Sequence, residues 1–236
     1  HELLIRFTSQ FNQFPKAEQQ SMVRHLINGG ISLVARGAAV EPDLLALYKL
    51  AIVDNMLLDG NRITPQSFVN IANLAGLCSE FQWADGFIER FSPHLEQGAR
   101  QAAVNLARAG LFYHQKNLDD AQLHLTASIF TIAPFDLLSR NLLLKIAFDR
   151  FLQDNNSFGF LQAHMKAYEH YVQMKPFTAD KKTAEMNLIK FARRMGTIRL
   201  EQGRLTSRTK QELRERLAQT QPIVSKKWLE SKIDDL

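Results

Sequence analysis

The sequence predicts an all-α protein, a solenoid of antiparallel helix hairpins. Apolar residues recur at spacings of three and four through most of the 236 residues. No stretch alternates strictly between apolar and polar residues, as a half-buried β-strand does. A short pattern of small residues repeats in the middle of the chain, which is typical of helical-repeat proteins. The length allows one large domain or two small ones.

The repeated pattern contains two small residues and one further residue, separated by twelve and then four positions. A small side chain late in one helix and another early in the next let two helices approach closely. The copies lie 37 and 38 residues apart. They predict three similar hairpins, with ordinary antiparallel helix pairs as the alternative. The copies are Ala72, Ala84 and Ile88; Ala109, Ala121 and Leu125; and Ala147, Gly159 and Ala163.

Residues 1–60 predict irregular helices packed on the repeats. Glu2 to Phe14 forms an amphipathic pattern, and Pro15 suits the start of a second helix. Gly29-Gly30 is expected to interrupt that helix, because two adjacent glycines cost about 2 kcal/mol relative to alanine. Ile31 to Val40 is then predicted as a separate short helix, and Pro42 opens the next one.

Residues 61–205 predict four consecutive hairpins. Thr64 before Pro65 is typical of a helix N-terminus, and Asn117 is expected to cap another helix. Ser79 and Gln82 have the spacing of a capping box. The predicted hairpins pair 64–78 with 80–92, 96–116 with 118–131, 134–153 with 158–175, and 178–202 with 207–220.

Residues 206–236 predict polar capping helices. Thr209 and Glu212 have the spacing of a second capping box, and the helix they open is rich in charged residues. The terminal units of a solenoid differ from the inner ones, because one of their faces meets water. The predicted division is therefore 1–60, 61–205 and 206–236.

The segment from Leu111 to Ala121 resembles the hairpin turn of a tetratricopeptide repeat. That family favours aromatic residues at the end of helix A and an acidic pair before a small residue. The turn glycine usual in the family is Lys116 here, the early tryptophan is missing, and the closing proline comes one residue late. The matching residues are Phe112, Tyr113, Asp119, Asp120, Ala121, Leu125 and Pro134.

This resemblance is good over about 102–134 and fainter over 64–100 and 134–175. The chain as a whole is also similar to uncharacterised bacterial helical-repeat proteins. The resemblance implies a right-handed solenoid that binds a peptide or protein without catalysis. In that family helix A lines the concave, peptide-binding surface, so Tyr113 and His114 are candidate binding residues. The alternative is that they form a hairpin end packed on its neighbour.

The charge distribution suggests a second possible binding surface. Residues 175–236 hold fifteen Lys or Arg against eight Asp or Glu, whereas the preceding residues hold fourteen against sixteen. Lys190 and Arg194 lie one helical turn apart, with Arg193 beside them. They could contact nucleic-acid phosphates or an acidic peptide, or simply solvate an outer face. A nucleic-acid-binding protein is therefore the alternative function.

No motif predicts an enzyme, a metal site or a cofactor. None of the seven histidines is paired at the i, i+4 spacing of a helical zinc site. Cys78 is the one cysteine, so an internal disulfide is impossible and an inert buried thiol is expected. Because a chain without disulfides suits a reducing compartment, we expect a cytoplasmic protein. We expect no membrane span, because no run approaches 18 apolar residues. The sequence predicts no oligomeric state.

Overall fold

The computed structural model describes residues 13–35, 38–53, 55–58, 60–131 and 133–236. The helix predicted over 2–14 therefore lies almost wholly outside the described residues. Within the described ranges, regular structure consists of eleven α-helices and two short 3-10 helices, with no β-strand. The all-α prediction is confirmed. None of the described helices is long and apolar enough to cross a membrane.

The chain divides into two compact units, residues 1–135 and 136–236. This boundary falls inside the range 61–205 that was predicted to hold continuous hairpins. The first unit contains α1 (Lys16–Ala35), α2 (Glu41–Val53), α3 (Pro65–Leu77), α4 (Phe81–Phe91), α5 (Gln97–His114) and α6 (Leu118–Thr126). The second contains α7 (Phe135–Gln153), α8 (Phe158–Met174), α9 (Ala179–Gln202), α10 (Ser207–Gln219) and α11 (Lys226–Asp235). The boundary leaves the first residue of α7, Phe135, in the first unit.

Helix α1 runs through Gly29 and Gly30 to Ala35, so the predicted interruption and the separate helix over 31–40 are wrong. The reason is packing between α1 and α2. A Cβ atom on Gly30 would lie 2.7 Å from Cδ1 of Leu44. Glycine at this position lets the two helices approach closely, and the packing offsets its low helix propensity. Helix α2 has Pro42 in its first turn, as predicted.

The two predicted N-caps form. The N–H of Ser67 donates to Oγ1 of Thr64 over 3.1 Å, and the N–H of Asp120 donates to Oδ1 of Asn117 over 3.2 Å. These bonds satisfy amide groups that the first helical turn leaves without a partner. They explain why the starts of α3 and α6 agree closely with the sequence-based bounds.

Neither predicted capping box forms. Helix α4 follows Glu80, which makes no side-chain cap, and Ser79 belongs to the turn that ends α3. Helix α10 is capped by Thr206, whose Oγ1 accepts the N–H of Thr209 over 3.2 Å. Thr209 thus lies inside the first turn instead of before it. In both cases a Ser or Thr and a Gln or Glu stand three residues apart near a helix start, but the Ser or Thr is not at the N-cap position.

The α3–α4 and α5–α6 hairpins have the same three-residue connection. Its middle residue, Ser79 or Lys116, is left-handed, with φ of 62° or 65°. In both turns the middle N–H bonds the carbonyl three residues back, and the next N–H bonds the carbonyl five residues back. This is a Schellman motif, which normally places glycine at the left-handed position. The equivalent turn residues lie 37 apart, matching the spacing of the small-residue pattern.

Substitution of Ser79 by glycine is expected to stabilise the first unit by about 0.5–1 kcal/mol, because glycine adopts the left-handed conformation without a Cβ penalty. The matched control is Gln115→Gly, where φ is −73° and glycine only adds freedom to the unfolded chain. Urea unfolding followed by Trp83 fluorescence, in a Trp228→Phe background, should show opposite shifts. Equal shifts in one direction would contradict the role assigned to Ser79.

Burial confirms the first two copies of the small-residue pattern and contradicts the third. Every residue of the first two copies is buried, with Leu125 the most exposed at 4%. In the third copy Gly159 and Ala163 are exposed, and Leu161 and Met165 are buried instead. A 3-10 helix over Asn155–Ser157 connects α7 to α8. It replaces the Schellman turn and starts α8 in a different register.

The first helices of the two hairpins, α3 and α5, pack against each other. Helix α5 presents small residues at spacings of four, four and three, and all of them are buried: Ala99, Ala103, Ala107 and Gly110. A Cβ on Gly110 would meet Asn73, and one on Gly76 would meet the His114 ring at 2.9 Å. The two helices are therefore close enough that larger residues at these glycines would collide.

The second unit is built around an apolar core that includes residues from all of its helices. The predicted polar capping region contributes to it on one face, through Leu213, Leu217, Leu229, Ile233 and Leu236. The core also encloses a charge: Lys232 of α11 is 5% exposed, and its Nζ lies 2.8 Å from Oδ1 of Asp149 on α7. Helix α11 is thus held by apolar packing and by a buried ion pair.

Candidate functional site

The end of α5 brings together Tyr113 and His114, the two residues predicted to face a partner. Tyr113 is 6% exposed, so its ring packs within the first unit. His114 is half-buried, and its ring lies edge-on to Tyr113, with centroids 5.7 Å apart. Its Cδ2 and Cγ atoms lie beside Gly76 of α3. Only His114 of the two offers a substantial surface to a binding partner.

The predicted basic residues lie on α9, but they do not share one environment. Lys190 and Arg194 are exposed and one turn apart. Arg193 is half-buried, and its guanidinium lies 2.6 Å from Oε2 of Glu169 on α8. Neither Lys190 nor Arg194 has an ion-pair partner among the residues that the structure describes. The free basic surface is therefore narrower than the sequence predicted, and Arg193 mainly links α9 to α8.

The charge asymmetry follows the division into units. Residues 136–236 hold nineteen Lys or Arg against twelve Asp or Glu, and residues 1–135 hold ten against twelve. The second unit is accordingly the basic one. Such a charge favours association with an anionic partner, although several of its cations are occupied by internal ion pairs.

The sequence analysis missed a polar cluster in the second unit, formed by the buried Tyr168 and Glu185 and the half-buried Lys145. The Tyr168 hydroxyl donates to Oε2 of Glu185 over 2.7 Å, and both residues are at most 5% exposed. Burial raises the pKa of Glu185, although the Tyr168 bond and nearby lysines oppose this change. Burial also lowers the pKa of Lys145 to about 8, against the opposing charges of Asp149 and Glu185.

Three different helices supply this cluster, so no local motif could have revealed it. One signal was available in α9. Glu185 precedes Leu188, Ile189 and Ala192 at the spacing of the buried stripe, so it occupies a position that faces the core. A carboxylate at such a position needs a buried donor. The sequence could not say that Tyr168 provides it.

Tyr168→Phe is expected to destabilise the second unit by about 1.5–3 kcal/mol at pH 7, because it removes a hydrogen bond to a buried carboxylate. The folded-state pKa of Glu185 is already raised, so ionising it costs stability as pH rises above the unfolded value. Loss of the Tyr168 hydroxyl increases the free-energy cost of keeping Glu185 ionised in the folded state. This cost disappears at a pH where Glu185 is protonated in both the folded and the unfolded state. Urea unfolding at pH 7 and near pH 4 should show the larger loss at pH 7. An equal loss at both would contradict an ionised Glu185 acceptor.

A cleft lies at the start of α4, lined by Glu80, Phe81, Gln82 and Trp83. Lys49 of α2 borders it. Its Nζ lies 3.1 Å from Oε1 of Glu80 and 5.0 Å from the centroid of the partly exposed Trp83 ring. These contacts already pair the charged groups beside the cleft, and they fix the Trp83 ring against Phe87.

The neighbouring thiol, Cys78, is half-buried instead of buried as predicted, and its surroundings disfavour the thiolate form. Burial, together with the charges of Glu41 and Glu80, raises the pKa of Cys78. A thiol with a raised pKa is protonated at neutral pH and reacts slowly. Among the described residues, no three His, Cys, Asp or Glu side chains gather closely enough to hold a metal ion.

No protein-family model, no curated protein and no solved structure matches this chain.

Proposed function

We propose that this chain is a non-catalytic binding module, and that α3 to α6 are two units of a right-handed, tetratricopeptide-like solenoid that holds a peptide or protein segment. The observation that carries the proposal is the repetition of one turn geometry 37 residues apart, together with direct packing of α3 on α5. Repeated hairpins that stack through their first helices present those helices as a continuous surface. The single cysteine supports a cytoplasmic setting.

The proposed binding surface is where the ends of α3 and α5 meet. Leu77 is 52% exposed at the end of α3, and it follows Gly76, which the His114 ring contacts. An exposed apolar side chain beside a half-buried imidazole supplies one apolar contact and one hydrogen-bonding group. This combination suits a short peptide, which can place an apolar side chain on Leu77 and form a main-chain hydrogen bond with His114.

The test is selection of peptides from a random phage-displayed library on the immobilised full chain. Selected peptides are then labelled, and their affinities are measured by fluorescence polarisation. We expect Leu77→Glu and His114→Ala to weaken binding about tenfold or more each, as loss of a well-packed contact does. Asp85→Ala, an exposed change on α4, is the control and should bind normally. If no peptide is enriched, or if all variants bind equally, the proposal is wrong.

Nucleic-acid binding by the second unit is the other candidate function. The observation that favours it is the exposure of Lys190 and Arg194 on the more basic unit, where neither has an ion-pair partner within the described part of the chain. Labelled single- and double-stranded nucleic acid should then bind tightly at low salt, with affinity lost steeply as salt rises. The double variant Lys190→Glu/Arg194→Glu should abolish binding.

A second double variant separates location from net charge. Lys16→Glu/Arg90→Glu makes the same charge change on exposed residues of the first unit. If the basic surface of α9 binds nucleic acid, this control retains most of the affinity. If both double variants lose affinity equally, binding reflects only the net charge of the chain. Absence of binding at low salt would exclude the nucleic-acid function.

A further inference from the structure

Helix α8 carries an exposed and largely apolar stripe on its outer side. Its residues follow spacings of three, four, three and four, the repeat of a helix-pairing face. Phe160 is 41% exposed and Met174 is 71% exposed, and both lie on this one face of the helix. We call this stripe the outer seam, and its members are Phe160, Ala163, Ala167, His170 and Met174.

Helix α8 carries few charged residues, which distinguishes it from a helix whose outer face meets only water. Only Lys166 and Glu169 are charged in the 17 residues of α8, and Glu169 is engaged by Arg193. The 13-residue helix α10, by comparison, carries six charged residues. A surface helix that meets only water normally has a charged outer face. The composition and spacing of the outer seam therefore favour contact with another helix.

We infer that the outer seam pairs with the outer seam of a second copy of this chain, antiparallel, about a two-fold axis at Ala167. The order of its residues supports this arrangement, because Phe160 precedes Ala167 by seven positions and Met174 follows it by seven. Antiparallel pairing brings Phe160 of each copy to Met174 of the other, which gives two sulfur–aromatic contacts. Alanines at the centre allow close approach.

A parallel arrangement is less favourable for this particular seam. It would set His170 of one copy directly against His170 of the other and would lose both contacts between Phe160 and Met174. The antiparallel arrangement also makes the interface isologous, so it closes as a dimer and leaves no open end. The association does not depend on the proposed peptide site, which lies on α3 and α5.

The first test is sedimentation velocity of the full chain from low micromolar to near-millimolar concentration. We expect a reversible monomer–dimer equilibrium that Ala167→Glu shifts fully to monomer, because it buries two like charges at the two-fold axis. Gln162→Glu adds the same charge on the same helix, beside the outer seam, and should still dimerise. Circular dichroism checks that both variants keep their helix content.

Two outcomes of this experiment overturn the inference. One is a monomer at every concentration for the unaltered chain. The other is a dimer that Ala167→Glu leaves intact, because the contact would then lie elsewhere on the surface.

Cysteine cross-linking tests the direction of pairing. In a Cys78→Ser background, Ala167→Cys should form an intermolecular disulfide readily, since a disulfide needs Cα atoms within about 7 Å. Ala163→Cys should not, because antiparallel pairing separates the two copies of residue 163 by about 12 Å along the helix axis. Cross-linking at both positions would indicate a parallel pair, and cross-linking at neither would exclude the seam contact.

Discussion

Lys232→Met is expected to destabilise the second unit by about 3–5 kcal/mol, the cost of leaving a buried charge without its partner. The Nζ of Lys232 lies 2.8 Å from Oδ1 of Asp149 and 2.7 Å from Oδ2 of Asp235. Asp149 is only 7% exposed, so water cannot replace the lost ammonium group. Asp235 is exposed and can be solvated, so the cost comes mainly from Asp149.

The control for this prediction is the double variant Lys232→Met/Asp149→Leu. Replacing both buried charges by apolar groups should recover most of the loss, since a buried pair often contributes little net stability. Unfolding in urea is followed by the fluorescence of Trp228 in a Trp83→Phe background, so the signal reports the second unit alone. A double variant as unstable as Lys232→Met would show that the ion pair itself, and not an orphaned carboxylate, supplies the stability.

The pH dependence of this pair has a definite sign. Burial by itself lowers the pKa of Lys232, but the hydrogen bonds and charges of Asp149 and Asp235 outweigh it and raise the pKa. A lysine with a raised folded-state pKa contributes its stability below the unfolded value, which is about 10.4, and loses it at more alkaline pH. The difference between the unaltered chain and Lys232→Met should therefore be undiminished at pH 7–9 and shrink above that range.

Gly110→Ala is expected to destabilise the first unit by about 1–3 kcal/mol, the usual cost of overpacking a tight contact. The added Cβ would overlap Oδ1 of Asn73 and lie 2.9 Å from its Cγ, so the Asn73 side chain must move or the helices must separate. Either change disturbs the packing of α3 on α5, on which the proposed binding surface depends.

Gly86→Ala is the matched control for Gly110→Ala. Gly86 lies inside α4, and a Cβ there meets nothing within 4 Å. Alanine should therefore stabilise the unit by about 0.5–1 kcal/mol through its higher helix propensity. Both variants are measured by urea unfolding with Trp83 as the reporter, in a Trp228→Phe background. A neutral or stabilising Gly110→Ala would mean that the Asn73 side chain can turn away without loss of packing between α3 and α5.

Local signals in the sequence predicted most helix bounds well. The ends of α3, α4 and α5 agree with their predicted ranges to within two residues, because caps, turns and prolines act on their own neighbours. Helix α6 ends at Thr126, five residues before its predicted end. Two residues later, Ser128 accepts a hydrogen bond from the Asn105 side chain of α5. That contact joins two helices and is invisible in local sequence.

The same distinction separates the correct and incorrect site predictions. Periodicity placed Lys190 and Arg194 on an outer face, and they are exposed. It could not show that Arg193 reaches Glu169, since the two residues belong to different helices. Tyr113 was expected at a binding surface because of its position in a hairpin. The packing of the first unit buries it.

The sequence by itself determined the all-α class, the order of the helices after residue 60 and the apolar face of most of them. These properties follow from interactions between residues that lie within about one helical turn of each other, so they can be read from short stretches of sequence. Tertiary structure alone decided the continuity of α1 past Gly30, and the pairing of Tyr168 with Glu185 and of Lys232 with Asp149. The physical reason is that periodicity shows which face of a helix is buried. Only the folded chain determines which groups from distant segments meet that face, and whether a buried polar group finds its partner.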